Sequence, residues 1–241
     1  MYAVIDRNTP AGTSADPDLY PEGYVMVVDK PYGWTSADAV RKIKFSLKKI
    51  YHRGNIKVGH AGTLDPLATG VLLVCVGKAT KVSEALQAER KEYIAEVTFG
   101  ATTPSFDLEH EVDATYPWEH ITEEAIAAAL SGMEGEQMQL PPVYSAKYVD
   151  GIRAYEMARQ GEEVQLRAAL IRIYGTRIIS YSAPVLKVAV ECSKGTYIRA
   201  FARDLGAALG SGAHLTGLVR TASGGFRVEN ALTIEEFVEK F

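Results

Sequence analysis

A chain of 241 residues, 47% apolar and 23% charged with net charge −4, has an ordinary globular composition and fills one large domain or two small ones. Its start lacks the basic-then-apolar layout of a signal peptide, and its longest clean apolar run, Val71 to Val76, is far too short to cross a bilayer. Cys75 and Cys192 stand alone, which argues against a disulfide framework or a zinc knuckle and predicts two reduced core thiols in a cytoplasmic protein.

Residues 1–23 are rich in Pro, Thr, Ser and Asp, lack periodicity, and read as an N-terminal extension or a loosely docked arm. Tyr24 to Val28 is a β-prone run that ends at Asp29-Lys30-Pro31, where Pro31 and Gly33 force a turn. Thr35 or Ser36 can cap a helix whose apolar stripe is Val40, Ile43, Leu47 and Ile50. Residues 59–70 follow neither helical nor strand period and read as a loop, with a buried strand behind it over Val71–Val76. Glu92 to Phe99 predicts a strand, and Thr122 with Glu123 and Glu124 opens a helix. Pro141-Pro142 breaks the chain before a short helix over about Arg153 to Arg159. Val164–Tyr181 and Val185–Cys192 read as paired strands around Ala183-Pro184, and Tyr197–Leu209 as a helix. The capping box Thr233-x-x-Glu236 opens the last one. Strands and helices mix without a regular βαβ repeat. That predicts an α+β fold with a largely antiparallel, mixed sheet flanked by helices.

Charge is unevenly placed. From Lys30 to Lys57 there are eight cations (Lys30, Arg41, Lys42, Lys44, Lys48, Lys49, Arg53, Lys57) against Asp38 alone, whereas Thr102 to Glu136 carries nine acids and no Lys or Arg. Separated signs let an acidic chain present one basic face to phosphates, and a solvated helix face would look the same.

Two motifs fail on inspection. Gly77-Lys78 lacks the upstream Gly (Leu72 is there) and the following Ser/Thr of a phosphate-binding loop, and Gly210-x-Gly212 lacks the third Gly of a dinucleotide fingerprint. The five histidines show no metal spacing, and no Gly-x-Ser-x-Gly elbow is present. An enzyme without a visible cofactor or metal, or a binding protein, is left. The informative segment is 59–70, where three glycines and Pro66 fix a tight backbone around Asp65, with His60, Thr63 and Thr69 nearby. An Asp in such a loop serves more often as a turn or cap residue than as a nucleophile, so the loop alone leaves both open.

Lys57-Val58-Gly59-His60-Ala61-Gly62-Thr63-Leu64-Asp65-Pro66-Leu67-Ala68-Thr69-Gly70-Val71-Leu72 resembles the signature of the TruB family of tRNA pseudouridine 55 synthases. Further segments resemble the same family in the same order. They are Asp29-Lys30-Pro31-x-Gly33-x-Thr35-Ser36, then Lys91-x-Tyr93, then Pro141-Pro142-Val143-Tyr144-Ser145-Ala146 with Gly151-x-Arg153-Ala154-Tyr155-Glu156. Last comes Cys192-Ser193-Lys194-Gly195-Thr196-Tyr197-Ile198-Arg199 with Asp204-Leu205-Gly206. One departure is the order Lys147-Tyr148, where the family has an apolar residue and then Lys. The other is the early end of the chain, which leaves no room for a separate C-terminal RNA-binding domain.

The resemblance implies a pseudouridine synthase-like catalytic domain over 24–241, with a catalytic cleft and an RNA-gripping flap near 140–162. It implies isomerisation of uridine to pseudouridine in the T-arm of tRNA, without cofactor or metal. Asp65 is implied as the nucleophile, Arg199 as the cation that keeps it ionised, and Tyr93 as a stacking partner of the flipped base. His60 is expected to fill the vacancy in the RNA, and Lys30, Tyr197 and Leu218 to line the pocket. Structural alternatives are a core-facing Tyr93, a loop-bracing His60 and a surface salt bridge at Arg199. The expected partner is tRNA alone, bound by a monomer with no obligatory protein partner and no membrane. Two competing functions are the catalytic subunit of a guide-RNA assembly and an RNA-folding helper with incidental chemistry.

Overall fold

The computed structural model describes residues 2–145, the pairs 148–149 and 152–153, Met157, and residues 166–241. The chain forms two compact units, Met1–Tyr93 with Val219–Phe241, and Ile94–Leu218.

The first unit opens with β1 (Ala3–Ile5), β2 (Tyr24–Lys30), α1 (Ser36–Tyr51), β3 (Val58–Ala61), β4 (Ala68–Val76) and α2 (Ser83–Ala88). β4 is its axis. β2 pairs antiparallel with it from Tyr24 opposite Val76 to Lys30 opposite Gly70, and β3 pairs antiparallel from Val58 opposite Val76 to Ala61 opposite Leu73. A strand covered on both faces needs no polar side, which is why Val71–Val76 is one apolar run and every residue of it is buried. α1 starts at Thr35, whose side chain accepts from the Asp38 amide while Asp38 caps Thr35 in return. Its inward stripe is Ala39, Ile43 and Leu47, with Val40 and Ile50 half-buried at the margins. Cys75 lies inside β4, and burial pushes its thiol up to about 11.

The N-terminal segment is docked along its length. β1 pairs in parallel with β2. Ala15 is buried, its amide donating to the Tyr51 hydroxyl (2.9 Å) and its carbonyl accepting from the Tyr24 hydroxyl (2.9 Å). Arg53 pairs with Asp16 at 2.8 Å. Composition suggests a loose arm because none of these partners is local.

The chain leaves the first unit inside β5 (Lys91–Phe99). The second unit continues through β6 (Ala101–Thr102), β7 (Ala114–Thr115), α3 (Glu123–Gly132), β8 (Gly135–Gln139), a ribbon of β9 (Tyr148–Val149) and β10 (Ile152–Arg153), β11 (Ala169–Ser182), β12 (Val185–Cys192) and α4 (Ile198–Ala208). β13 (Ala213–Ser223) returns the chain to the first unit, which ends with β14 (Phe226–Arg227) and α5 (Ile234–Lys240). Strands of the second unit lie in the order β13, β5, β12, β11, β8. β11 pairs antiparallel with both β12 and β8, and is bulged at two places against β12. Cys192 is buried at the end of β12. The α+β, mixed and mostly antiparallel reading matches this architecture.

Two local expectations change. The loop expected over 59–70 contracts to 62–67, because its glycines hide strand residues that β4 and its neighbours hold by pairing. Ile152–Arg153 is a strand, so the expected helix does not begin at Arg153; most of its remainder lies outside the described residues. So does most of the expected flap over 140–162, together with Lys147, and Val164, the expected start of β11.

Candidate active site

The six residues between β3 and β4 are held from several sides by first-unit side chains. Ser36, at the start of α1, accepts from the Leu64 amide (2.9 Å) and donates to the Leu64 carbonyl (3.1 Å). The Gly33 amide donates to the Pro66 carbonyl at 2.9 Å. Asp29 accepts from the Gly70 amide at 3.0 Å. Arg220, on the part of β13 that belongs to this unit, is 1% exposed and spends its guanidinium on three carbonyls: Val71 (2.7 Å), Gly62 (3.1 Å) and Thr63 (3.4 Å). Gly70, at φ +97°, lies so close to the Arg220 backbone that a Cβ there would sit 2.2 Å from its carbonyl oxygen. Gly62 also has a positive φ, of +87°. These are backbone reasons for glycine on either side of Asp65.

Asp65 itself is half-buried, and its carbonyl closes a turn by accepting from the Ala68 amide at 3.1 Å. Its carboxylate is the strongest charge acting on Lys30. That ammonium, wholly buried at the end of β2, donates to the carbonyls of Trp34 (2.6 Å), Pro31 (2.9 Å) and Pro66 (3.3 Å). Burial lowers it to about 8, against the raising pull of the Asp65 and Asp29 carboxylates and with a further push down from Arg220. His60, on β3, is lowered as well, first by burial and then by the Arg220 cation. Its Nδ1 is buried without a hydrogen-bond partner. The buried Arg220 guanidinium thus acts on Lys30 and His60 and holds two carbonyls of the loop that carries Asp65.

Lys30 gives a pH test. Unfolded, its amine returns towards the ordinary 10.5, so between about pH 8 and 10.5 the unfolded chain holds a proton that the folded chain has released. Its contribution therefore penalises folding fully below about 8 and becomes less unfavourable as pH rises, by at most about 1.4 kcal/mol per unit. Denaturation of wild type and Lys30→Met at about pH 7 and about pH 10 checks this. The stability difference should move in favour of the wild type with rising pH.

Tyr93 ends the first unit's part of β5. Strict alternation along that strand puts it in the inward row with Lys91, Ala95, Val97 and Phe99, and it is 9% exposed. The other nominated residues belong to the second unit. Arg199, on α4, is 3% exposed, which removes the surface salt bridge as an account of it. It donates to the Ser105 carbonyl at 3.2 Å and lies 3.7 Å from the buried Asp107 carboxylate. Tyr197, the residue that caps α4, is gripped through its backbone: its amide donates to Gln139 (2.9 Å) and its carbonyl accepts from Gln139 (3.1 Å). Leu218 is half-buried on β13.

Sequence reasoning missed Arg220, Asp107, Gln139 and the double bond of Ser36. Among the described residues no cluster of three or more His, Cys, Asp or Glu is placed to hold a metal, and no helix is long and apolar enough to cross a membrane.

The profile "TruB family pseudouridylate synthase (N terminal domain)" matches residues 48–198, and "tRNA pseudouridylate synthase B C-terminal domain" matches 199–241. The chain is 54% identical over 220 residues to tRNA pseudouridine synthase B of Phocaeicola vulgatus, covering 91% of this chain and 94% of that protein. Against the Flavobacterium johnsoniae protein of the same name it is 47% identical, with 92% and 98% covered. Among solved structures it is similar to a chain of a Cbf5-Nop10-Gar1 complex, with a TM-score of 0.68 at 30% identity, over 98% of this chain but 62% of that one.

Proposed function

The chain belongs to the TruB family of pseudouridylate synthases and isomerises uridine to pseudouridine in tRNA, and from that premise we propose that its target is position 55 of the T-arm and its nucleophile is Asp65. The observation that carries this reading is the braced turn: a half-buried carboxylate acting on a buried ammonium, on a six-residue loop held by Ser36, Gly33 and Arg220. A reacting group must be held to well under an ångström, and such bracing supplies that.

The reaction breaks the C1′–N1 bond, turns the freed uracil, and forms C1′–C5. The C5 proton leaves to solvent and N1 gains one. No water is consumed, so a second carboxylate to activate it is unnecessary. A uridine inside a folded arm must first be flipped out. In this reading Tyr93 stacks on the flipped base, Tyr197, Lys30 and Leu218 line its pocket, His60 fills the space left behind, and Arg199 keeps the nucleophile ionised. The enzyme works as a cytoplasmic monomer without cofactor or protein partner.

The test is tritium release from an unmodified tRNA transcript labelled at uridine C5, with purified protein alone. One equivalent should be released per tRNA, and none when position 55 is cytidine. Release that needs a guide RNA and partner proteins would instead favour the guide-directed reading; the similar solved chain is itself part of a Cbf5-Nop10-Gar1 complex.

Tyr93 gives a second test. Tyr93→Leu should cost the single-turnover rate about 5- to 150-fold, the worth of one stacked base, and leave tRNA affinity within a few-fold because most affinity comes from the backbone. Tyr93→Phe keeps the ring and should keep most of the rate. If Leu lowers melting temperature and rate together, the inward row of β5 is serving the core instead.

A further inference from the structure

The outer face of α1 is not used by the chemistry above. Arg41, Lys42, Phe45, Lys48 and Lys49 recur at three- and four-residue steps, opposite the stripe of Ala39, Ile43 and Leu47. Arg41, Lys42 and Lys49 are exposed, Lys48 is half-buried, and Phe45, at their centre, is 63% exposed. A single exposed Phe is ordinary. A Phe ringed by four cations, in a chain of net charge −4, is a different feature. The helix dipole favours Lys48 and Lys49 in the last turn but gives no reason for Lys42, and the paired Asp38 offsets only Arg41. The strip also has a direction. The helix that carries it starts at Ser36, whose buried side chain holds the Asp65 loop, and at 1.5 Å per residue the strip runs from Arg41, about 8 Å along, to Lys49, about 20 Å along.

We propose that this face is a second contact surface for the RNA substrate: its four cations meet backbone phosphates, and Phe45 stacks on an unpaired base. The inference rests on the tRNA reading and extends it beyond the pocket. Cations separated by one helical turn suit phosphate oxygens, and an aromatic between them is the usual platform for an unstacked base.

Lys42→Glu/Lys49→Glu and Phe45→Ser test it, with tRNA binding measured over a salt series. The charge reversal should weaken binding at least about tenfold near 0.1 M salt and lower the salt slope by about 2, since two phosphates are no longer neutralised. Phe45→Ser should weaken binding about fivefold or more and leave the slope unchanged. Both should keep the wild-type single-turnover rate at saturating tRNA and the wild-type melting temperature. Lys42→Gln/Lys49→Gln repeats the test should the reversal fail to fold, with the same sign and a smaller effect. Wild-type affinity and slope in both variants would overturn the proposal and leave the face to solvent or to a protein partner. So would a loss of rate that saturating tRNA does not restore. A wild-type protein inert on tRNA would instead bring down the reading on which the inference rests.

Discussion

Replacing Asp65 with Asn should abolish pseudouridine formation, by at least about 10⁴-fold in single turnover, while tRNA affinity stays within about threefold of wild type. Asn fills almost the same volume and keeps the backbone turn to Ala68, so the loop has no reason to move. What disappears is the negative charge and the nucleophilic oxygen. A second readout checks the geometry. Asp65 is the leading influence that raises Lys30 against its burial, so the variant should drive that amine further below 8 and move the pH profile of stability to lower pH. Product formed at near-wild-type rate would remove Asp65 from the chemistry. An unmoved Lys30 profile would mean that the two charges do not face each other in solution.

Arg220→Met should be the most damaging change outside the reacting groups. It leaves the carbonyls of Gly62, Thr63 and Val71 without their donor, each worth about 1–3 kcal/mol if water cannot replace it. A stability loss of about 3 kcal/mol or more is expected, with at least about a 100-fold drop in rate from a misplaced loop. Arg220→Lys keeps the charge but cannot fork to three carbonyls, so it should recover little. Titration separates loop placement from general instability. Removing the guanidinium lifts one of the two influences that lower His60 and the one neighbouring cation that lowers Lys30, so both should titrate higher than in wild type. A variant with wild-type rate and stability would show that the loop holds itself.

What can be read from the chain divides along a physical line. α1 is legible because its cap, its stripe and its basic outer face are all local: Thr35 to Asp38, Ile43 to Leu47. β5, β12 and α5 are legible for the same reason. The ends of β3 and β4 are not, since Gly59, Gly62 and Gly70 carry no side-chain period and become strand or turn only through pairing with distant residues. Asp65 in its loop reads more readily as a turn residue, and family likeness nominates it. The structure adds what that likeness does not contain, the bracing. Lys30 looks like a solvated strand end, and Arg220 like any cation on an alternating strand. Both are buried because their protons go to backbone carbonyls that no sequence pattern marks. Asp107 is hidden in another way, as one acid among nine in a stretch that reads as solvated, although it lies buried beside Arg199.

The two cysteines offer a use that has nothing to do with catalysis. Each unit holds one buried thiol, Cys75 in the first and Cys192 in the second. A thiol pushed up to about 11 inside β4 is nearly all protonated at neutral pH, so an alkylating reagent meets thiolate at Cys75 only when the strand opens. Labelling rates read by mass spectrometry, peptide by peptide, therefore time the opening of each unit separately in the unaltered protein. If the two rates coincide across denaturant, the units unfold as one cooperative body; if they diverge, the slower one marks the more stable half.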